Sequence, residues 1–353
     1  MSLTLAIIAL GFLIVVHEAG HYIVAKLCKM RVERFSIGFG PALWKFRPKY
    51  TEFQIAALPF GGFVQISGMN PHEDIDLNDP NVYPNRPTVQ RILTIFAGPA
   101  TNYFFAIVLI FCVLMSVGRE TGRMQVADVH DGEPAVGKLF PGDRIVSVNG
   151  KPIRWRADSG IQHAELTAAI QEGKGAPVTI LVTRGGKEVE VTIAPRVGEI
   201  PSAKGPEKGY LIGIVPSPER EQIGVGTALV QSAKFPFIET RRFLRDIYGM
   251  IKRTVPAEVV GPVGITRAIR GYIRLGWVRT FEILALLNVY LGMFNLFPLP
   301  ALDGGRLAFL GYELATRRRP NPKVETAVHM VGMAIFAVLF LLVTFKDIKN
   351  IFI

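Results

Sequence analysis

The stretch that decides the fold reads LTLAIIALGFLIVVHEAGHYIVAKL, from Leu3 to Leu27. It is long enough to cross a bilayer as a helix, because a membrane span needs about 20 apolar residues. A secretory signal peptide is not favoured, since no basic residue precedes the apolar run, no small-residue cleavage site follows it, and His17, Glu18 and His21 lie inside it. We therefore expect a membrane helix that carries ionisable side chains.

The residues His17-Glu18-Ala19-Gly20-His21 have the pattern of a zinc site. Two histidines four residues apart lie about 40° apart around a helix axis, so both can bind one ion. Neutral imidazole suits zinc, and the carboxylate of Glu18 can take a proton from a metal-activated water. Ionisable groups in a span are costly and indicate function; the alternative is a polar cluster that only joins helices.

Such a site needs a third protein ligand if it keeps one position open for catalysis. The best candidate is Asp303, in the segment NLFPLPALDGG that runs from Asn295 to Gly305. The alternative is that Asp303 only starts a turn. Asn295 is a candidate donor to a substrate carbonyl, or else a residue that joins helices, and His329 is expected to pack between helices.

Composition excludes an ordinary soluble protein. Of 353 residues, 49% are hydrophobic and 20% charged, and the apolar residues are concentrated in long blocks. The net charge of +11 is interpreted as the flanking charge of membrane segments, because no nucleic-acid-binding motif accompanies it. The partner predicted is therefore a lipid bilayer and not nucleic acid. The two cysteines predict no disulfide framework.

Four apolar blocks predict four transmembrane helices. Lys and Arg cluster after the first and third blocks, so both clusters are expected in the cytoplasm. The N-terminus, the segment 118–280 and the C-terminus then lie outside. At about 1.5 Å per residue, His17 is about 22 Å from the outer end of its helix, near the cytoplasmic face. The predicted spans are residues 3–27, 92–117, 281–297 and 327–345.

The segment 34–68 alternates short apolar and polar runs, which predicts a hairpin of two or three strands. Its apolar content allows two placements: within the membrane, where non-helical backbone must be buried in protein or line a cavity, or on the membrane surface. Residues 70–86 are polar and rich in Pro and Asp, and are expected to form a mobile cytoplasmic loop.

The segment after the second span predicts a separate β-rich domain. Strand patterns at 124–130, 144–149, 178–183 and 188–193 accompany a helical stretch near 163–171. Residues 197–209, with Pro, Gly and mixed charge, are expected to be a linker. Residues 225–253 predict an amphipathic helix on the outer membrane surface or packed on the bundle.

Together these motifs resemble the site-2 protease family of intramembrane zinc metalloproteases, in particular the bacterial regulator-of-sigma-E protease branch. The resemblance covers nearly the whole chain, and the combination of HEAGH with the LDG segment is specific. The matching segments, in family order, are HEAGH at 17–21, RFSIGFGPALW from Arg34, LPFGGFVQISG at 58–68, AGPATN at 97–102, PGDRIVSVNGKPI at 141–153, GPVGI at 261–265 and NLFPLPALDGG at 295–305.

The resemblance implies one Zn²⁺ bound by His17, His21 and Asp303, with Glu18 as the catalytic base. It implies that Asn295, Pro298 and Pro300 help to hold an unwound substrate. The segment 34–68 would be a membrane-re-entrant β-hairpin, and 118–197 a single PDZ domain, where many relatives of this branch have two. The predicted division is then a first core half at 1–117, the PDZ domain, a linker with amphipathic helices at 198–280, and a second core half at 281–353.

The predicted fold is thus a membrane α-helical protein with four transmembrane helices, a re-entrant β-hairpin and an inserted extracytoplasmic PDZ domain, in the bacterial inner membrane. The predicted activity is cleavage of transmembrane segments of single-pass membrane proteins, of the anti-sigma factor type, in regulated intramembrane proteolysis. One alternative is a membrane-tethered PDZ adaptor with a structural metal site. Another, a small ion transporter, is disfavoured because no inverted repeat is visible.

Overall fold

A computed structural model describes residues 2–70, 73–76, 78–155, 164–202, 205–254 and 261–352. The chain forms two compact units: Met1–Val113 together with Val225–Ile353, and Leu114–Gly224. The helices are α1 (Ser2–Leu27), α2 (Thr88–Val117), α3 (Ala164–Glu172), α4 (Val225–Ile251), α5 (Pro262–Arg274), α6 (Trp277–Leu296), α7 (Asp303–Thr316) and α8 (Pro322–Phe352).

In the described part of the chain, four helices are long and apolar enough to cross a bilayer: α1, α2, α6 and α8. This confirms the predicted number of membrane helices. Three of them begin four or five residues before the predicted apolar blocks: α2 at Thr88, α6 at Trp277 and α8 at Pro322. Helical hydrogen bonding continues into the polar flanks, which hydropathy alone does not detect.

Glycines let the spans approach each other closely. A Cβ on Gly20 of α1 would lie 2.3 Å from the carbonyl oxygen of Ala97 in α2. A Cβ on Gly292 of α6 would lie 2.9 Å from the carbonyl oxygen of Pro99. Small residues are the usual means of such backbone contact in membranes. They bring α1 and α6 against α2 at the level of the HEAGH segment.

The predicted hairpin is two long, bent antiparallel strands, β1 (Val32–Phe46) and β2 (Glu52–Ile66). Residues 34–37 pair on one side with 62–65 and on the other with 52–55. The bend in β1 falls at Gly38 and Gly40, both with φ of 89°, a left-handed backbone that glycine adopts without strain. The hairpin packs against α1, where Ala25, Met30, Val32 and Ile66 form a small core.

Residues 70, 73–76 and 78–86 lie in the segment predicted to be a mobile loop and are turns and irregular chain, with one short 3₁₀ helix at Tyr83–Asn85, and backbone hydrogen bonds attach the segment to the hairpin. The N–H of Arg31 donates to the carbonyl of Asn81 (2.9 Å), and the N–H of Tyr83 donates to that of Ser67 (2.9 Å). Arg31 also forms an ion pair with Asp79 (2.6 Å), and Val82 is buried. Polar composition indicated the exposed face of this segment but not these backbone contacts.

Helices α4 and α5 follow in the same unit. Helix α4 agrees with the amphipathic helix predicted at 225–253 and packs on α6, where Phe243 contacts Tyr290 and Phe294. Helix α5 packs on α1. The N-terminus of α5 is capped by Asp347 of α8, whose carboxylate accepts the N–H groups of Gly261 (3.2 Å) and Gly264 (2.8 Å).

In the described residues, the second unit contains a six-stranded β-sheet, a separate two-stranded sheet of β8 and β9, and the helix α3. The sheet order is β10-β3-β4-β6-β7, and β5 pairs with β4. Its core includes Met124, Ile145, Val148, Ile180 and Val182, because alternate side chains of each strand face inward. The strands are β3 (Arg119–Val129), β4 (Arg144–Val148), β5 (Lys151–Pro152), β6 (Val178–Arg184), β7 (Lys187–Ile193), β8 (Arg196–Ser202), β9 (Gly205–Leu211) and β10 (Ile214–Glu221).

Four of these strands and the helix near 163–171 agree with the sequence patterns, although His163 lies outside the described residues. The linker expected at 197–209 is instead a hairpin of β8 and β9. Strand β10, which no pattern predicted, completes the sheet by pairing with β3. Both differences have one cause: Pro and Gly are tolerated in edge strands, where not every N–H must bond to a neighbour.

Candidate metal centre

The structure brings His17 and His21 of α1 together with Asp303, the first residue of α7. Oδ2 of Asp303 lies 3.1 Å from Nε2 of His17 and 3.3 Å from Nε2 of His21. The two Nε2 atoms are 3.2 Å apart. Both histidines are buried, with 7% and 8% of their surface exposed. Residues nearly 300 positions apart in sequence therefore present three donor atoms to one point.

These spacings fit a zinc ion. Four ligands at about 2.05 Å in a tetrahedron lie about 3.3 Å from one another, close to the three observed separations. Oδ2 of Asp303 is buried and, in the described part of the chain, accepts no hydrogen bond. A buried carboxylate oxygen that faces two imidazole nitrogens without a donor is what a cation would satisfy.

The outer nitrogen of each ring is held by α2. Nδ1 of His21 donates to the carbonyl of Thr94 (2.9 Å), and Nδ1 of His17 lies 3.0 Å from the side-chain amide of Asn102. Asn102 is fully buried. As placed, Nδ2 of Asn102 faces the ring, and its buried Oδ1 has no partner among the described contacts. Exchanging the two ends of this amide brings Oδ1 to Nδ1 of His17, so that both Nδ1 atoms carry the proton and both Nε2 lone pairs point at the metal position.

Gly98 of α2 forms the wall behind the rings. A Cβ at this position would lie 2.3 Å from Nε2 of His21 and 2.8 Å from Cε1 of His17. Only a residue without a side chain fits there. The same close approach sets the distance between α1 and α2 at the site.

Asp303 is placed by an irregular turn between α6 and α7. Helix α6 ends at Leu296, and Ala301 has a left-handed backbone with φ of 72°, which is unusual outside glycine. A Cβ on Gly304 would lie 2.1 Å from the carbonyl oxygen of Phe297, so the turn folds tightly under the start of α7. The first turn of α7 then points Asp303 at α1.

Glu18 is a residue of α1, and its side chain lies beside the cluster and faces β2. Its Cγ would be 3.4 Å from a Cβ on Gly62, and the backbone N–H of Val64 bonds to its carboxylate. The carboxylate therefore faces both the donor atoms and the end of β2. This is the arrangement that a general base needs if substrate backbone approaches along the strand.

The other predicted residues lie in the turn or next to it. The Nδ2 group of Asn295 donates to the carbonyl of Leu291 in its own helix (3.0 Å). Pro298 is exposed, and Pro300 packs against α8, where a Cβ on Gly332 would lie 2.1 Å from it. His329 of α8 accepts the N–H of Ala301 at Nδ1 (3.1 Å), so it contacts the turn and not the cluster.

Sequence reasoning had not assigned a function to Asn102, Gly98 or the Thr94 carbonyl. One signal was available, because a buried Asn in the middle of an apolar span is costly and usually has a partner. Which atom it contacts depends on how α2 crosses α1, and no local pattern encodes that crossing.

Comparisons with known proteins identify the family of the chain. The profile of Peptidase family M50 matches residues 5–339. A protein of Clostridium acetobutylicum, provisionally named a zinc metalloprotease, is 30% identical over 352 residues, covering 98% of this chain and 97% of its own. Zinc metalloprotease RasP of Geobacillus kaustophilus is 27% identical and covers 98% of this chain and 97% of its own.

A plant relative extends the similarity. Membrane metalloprotease ARASP of Arabidopsis thaliana, a chloroplast protein, is 31% identical over 360 residues, which cover 96% of this chain and 77% of the relative. The family match covers most of the chain, and the four apolar helices make it a multi-pass membrane protein. The chain therefore belongs to Peptidase family M50 and is a membrane zinc metalloprotease.

Proposed function

We propose that this protein is an intramembrane endopeptidase that cleaves transmembrane segments of single-pass membrane proteins, of the anti-sigma factor type, in regulated intramembrane proteolysis. One observation carries the proposal: the His17–His21–Asp303 cluster is built on α1, a helix apolar enough to span the bilayer. A hydrolytic site on such a helix is suited to peptide bonds that lie within the membrane.

In this proposal His17, His21 and Asp303 hold one Zn²⁺. When bound, the ion supplies Lewis acidity to the scissile carbonyl and to water. Glu18 takes the proton of the attacking water and gives it to the departing amine. The Thr94 carbonyl and the Asn102 amide keep the two rings in the orientation that exposes Nε2.

A substrate helix must unwind, because its carbonyls are otherwise engaged in its own hydrogen bonds. Residues 62–65 pair with β1 on one side, and their other side is proposed to receive the substrate as an added strand. That edge is next to Glu18, whose carboxylate bonds to the N–H of Val64. Strand addition replaces the backbone hydrogen bonds that unwinding removes.

The hairpin is proposed to be re-entrant, entering the membrane from the cytoplasmic side. Its exposed side chains support this placement, since they are large and apolar where a soluble hairpin would be polar. Because residues 34–37 and 62–65 lie against α1, the strands are covered by protein where they reach the site. The exposed apolar residues are Phe39, Leu43, Trp44, Phe46, Ile55 and Leu58.

The turn after α6 is proposed to hold the unwound substrate. Asn295 is half-buried and its amide oxygen is available as a partner for a substrate N–H, and Pro298 is exposed for contact. Pro300 supports the turn from α8. Two prolines also keep this backbone from extending α6 over the site.

The sidedness proposed here follows from charge. Basic residues cluster at the end of α1 and before α8, so these ends belong in the cytoplasm of a bacterial inner membrane. They are Lys26 in the last turn of α1, then Lys29, Arg31 and Arg34, and Arg317, Arg318 and Arg319 before α8. Both termini and the unit Leu114–Gly224 are then extracytoplasmic, with the cluster near the cytoplasmic face.

The second unit is proposed to be a single PDZ domain, and the protein is proposed to belong to the regulator-of-sigma-E protease branch. Its sheet ends at β10, an edge strand, and it carries one helix, α3. An edge strand accepts a peptide by strand addition. The unit would admit or hold substrates that have already lost their external domain.

The test is cleavage of a synthetic single-pass substrate by the purified protein in lipid vesicles. We expect products from the wild type, loss of products with a chelator, and recovery on adding Zn²⁺. Glu18→Gln should retain zinc and the wild-type melting temperature while cleavage falls at least about 100-fold. Cleavage by Glu18→Gln at the wild-type rate would contradict the proposal and favour an adaptor with a structural metal site.

A further inference from the structure

Helix α8 is the most exposed of the four spans. Only 6% of the most apolar 18-residue stretch of α8 is buried in the protein, against 22–28% of the corresponding stretches of α1, α2 and α6. Most of the surface of α8 is therefore available to lipid, and only a few contacts hold the helix against the rest of the protein. One group of these contacts is on the turn that precedes Asp303.

His329 and Gly332, one turn apart on α8, both face this turn. Nδ1 of His329 accepts the backbone N–H of Ala301 (3.1 Å). A Cβ on Gly332 would lie 2.1 Å from Cβ of Pro300, and a Cβ on Gly305 would lie 3.4 Å from Cε1 of His329. Helix α8 thus accepts a backbone hydrogen bond from Ala301 and lies close to Gly305, two residues before and two residues after Asp303.

The turn needs such support. Ala301 has φ of 72°, a conformation that residues with a Cβ adopt only when the surroundings impose it. Its N–H would be unsatisfied in an apolar region without the imidazole acceptor. Nε2 of His329 is buried and has no hydrogen-bond partner in the described part of the chain, so the bond from Ala301 is the polar contact that orients the ring, which also packs on Phe309.

We propose that His329, with the gap left by Gly332, is a positioning element for the metal centre. By fixing the turn 297–302, α8 holds the Asp303 carboxylate 3.1 and 3.3 Å from the two histidine nitrogens. Among the described contacts, His329 bonds to the turn and does not touch the cluster. The inference rests on the proposed role of Asp303 as a zinc ligand.

The test measures zinc affinity by competition with a chromophoric chelator, on the full-length protein in detergent. We expect His329→Leu to weaken zinc binding about tenfold or more, as loss of a residue that orients a ligand does. His329→Asn, whose amide oxygen replaces Nδ1 as acceptor, should stay within about threefold of the wild type. The melting temperature of the zinc-free protein should change little in either variant.

A second pair of variants tests the same contact sterically. In Gly332→Ala the new methyl group would lie 2.1 Å from Cβ of Pro300, so the turn must move. This variant should therefore weaken zinc binding as His329→Leu does. Gly311→Ala in α7 is the matched control, because a Cβ there meets no atom within 4 Å, and it should bind zinc normally.

Two results would overturn the inference: zinc affinity unchanged in both His329→Leu and Gly332→Ala, or His329→Asn as weak as His329→Leu. Either result leaves the proposed function standing, provided that the wild type binds zinc and cleaves its substrate. A wild type that binds no zinc would overturn the inference and the proposed function together.

Discussion

The side-chain amide of Asn102 lies 3.0 Å from Nδ1 of His17, although the two residues belong to different membrane helices. Asn102 is fully buried, so it makes this contact in place of water. Its neighbour on the other ring is a backbone carbonyl, that of Thr94. The orientation of the His17 ring thus depends on a side chain, that of Asn102, whereas the orientation of the His21 ring depends on the backbone of Thr94.

Asn102→Leu should therefore weaken zinc binding by about 10- to 100-fold, because His17 loses the partner that fixes its tautomer. The control is Asn288→Leu, which removes another fully buried Asn, one that bonds only within α6 among the described contacts. Chelator competition should separate the two variants. Equal zinc affinity in them would show that Asn102 does not orient the ring.

Gly98→Ala should abolish zinc binding and proteolysis. The new methyl group would lie 2.3 Å from Nε2 of His21, inside contact distance, so the ring or the helix must move. Zinc content after gel filtration measures the effect. Gly226→Ala in α4, where a Cβ meets no atom within 4 Å, should leave zinc content and activity unchanged; a fully loaded Gly98→Ala protein would refute the close approach.

Arg91 and Glu313 form a buried ion pair between α2 and α7, in which Nη1 and Nη2 of Arg91 both donate to the carboxylate. The hydroxyl of Thr88 also donates to it, at 3.1 Å. Glu313→Gln leaves a buried cation without its partner and should destabilise the protein by about 3–5 kcal/mol. Unfolding in mixed micelles measures this loss.

A double variant, Arg91→Met with Glu313→Leu, should recover most of that stability, because it removes both charges. If the single variant unfolds like the wild type, the pair is not buried as the structure shows. Since α7 begins at Asp303, the single variant should also lower zinc affinity.

Asp143 gives the second unit a pH-dependent contribution to stability. Burial by itself raises the pKa of this carboxyl, but hydrogen bonds from Arg184 and from the N–H of Phe140 (2.9 Å) outweigh it and hold the pKa below its ordinary value. A lowered folded-state pKa stabilises the fold above the unfolded-state pKa. This stabilisation is lost as the pH falls through the folded-state value.

We therefore expect Asp143→Asn to lower the free energy of unfolding of this unit by about 1–3 kcal/mol at pH 7, with the difference from the wild type shrinking below about pH 4. Replacing Trp44 and Trp277 with Phe makes Trp155 the only tryptophan, so that its fluorescence reports on this unit. The exposed Asp131→Asn is the control. A difference that grows on acidification would have the wrong sign.

The sequence predicted the helices well and the irregular segments poorly. Blocks of apolar residues specify spans such as α2 and α8 because the bilayer is a uniform solvent with a fixed thickness. The β8–β9 hairpin was predicted as a linker, and the backbone hydrogen bonds that attach residues 78–86 to the β1–β2 hairpin were not predicted. The backbone partners of residues 78–86 are distant in sequence, and the edge strands β8 and β9 tolerate Pro and Gly. Local composition therefore does not reveal either structure.

The site shows the same division. His17, Glu18 and His21 lie on one helix face by periodicity alone, and their cost in an apolar span indicates function. Asp303 was selected as a candidate from its depth and from the residues around it, but its distance from the rings depends on how α1, α2 and α7 cross.

What the sequence determined by itself is therefore the set of membrane helices and the chemical identity of the donor groups, since helix periodicity and hydropathy are local properties. Tertiary structure alone decided which groups meet: that Asn102 and not another polar residue faces His17, that Gly98 makes room for both rings, and that His329 holds the turn before Asp303. The physical reason is that each of these contacts joins separate helices through backbone approaches of a few ångström, and such approaches depend on packing across the whole bundle.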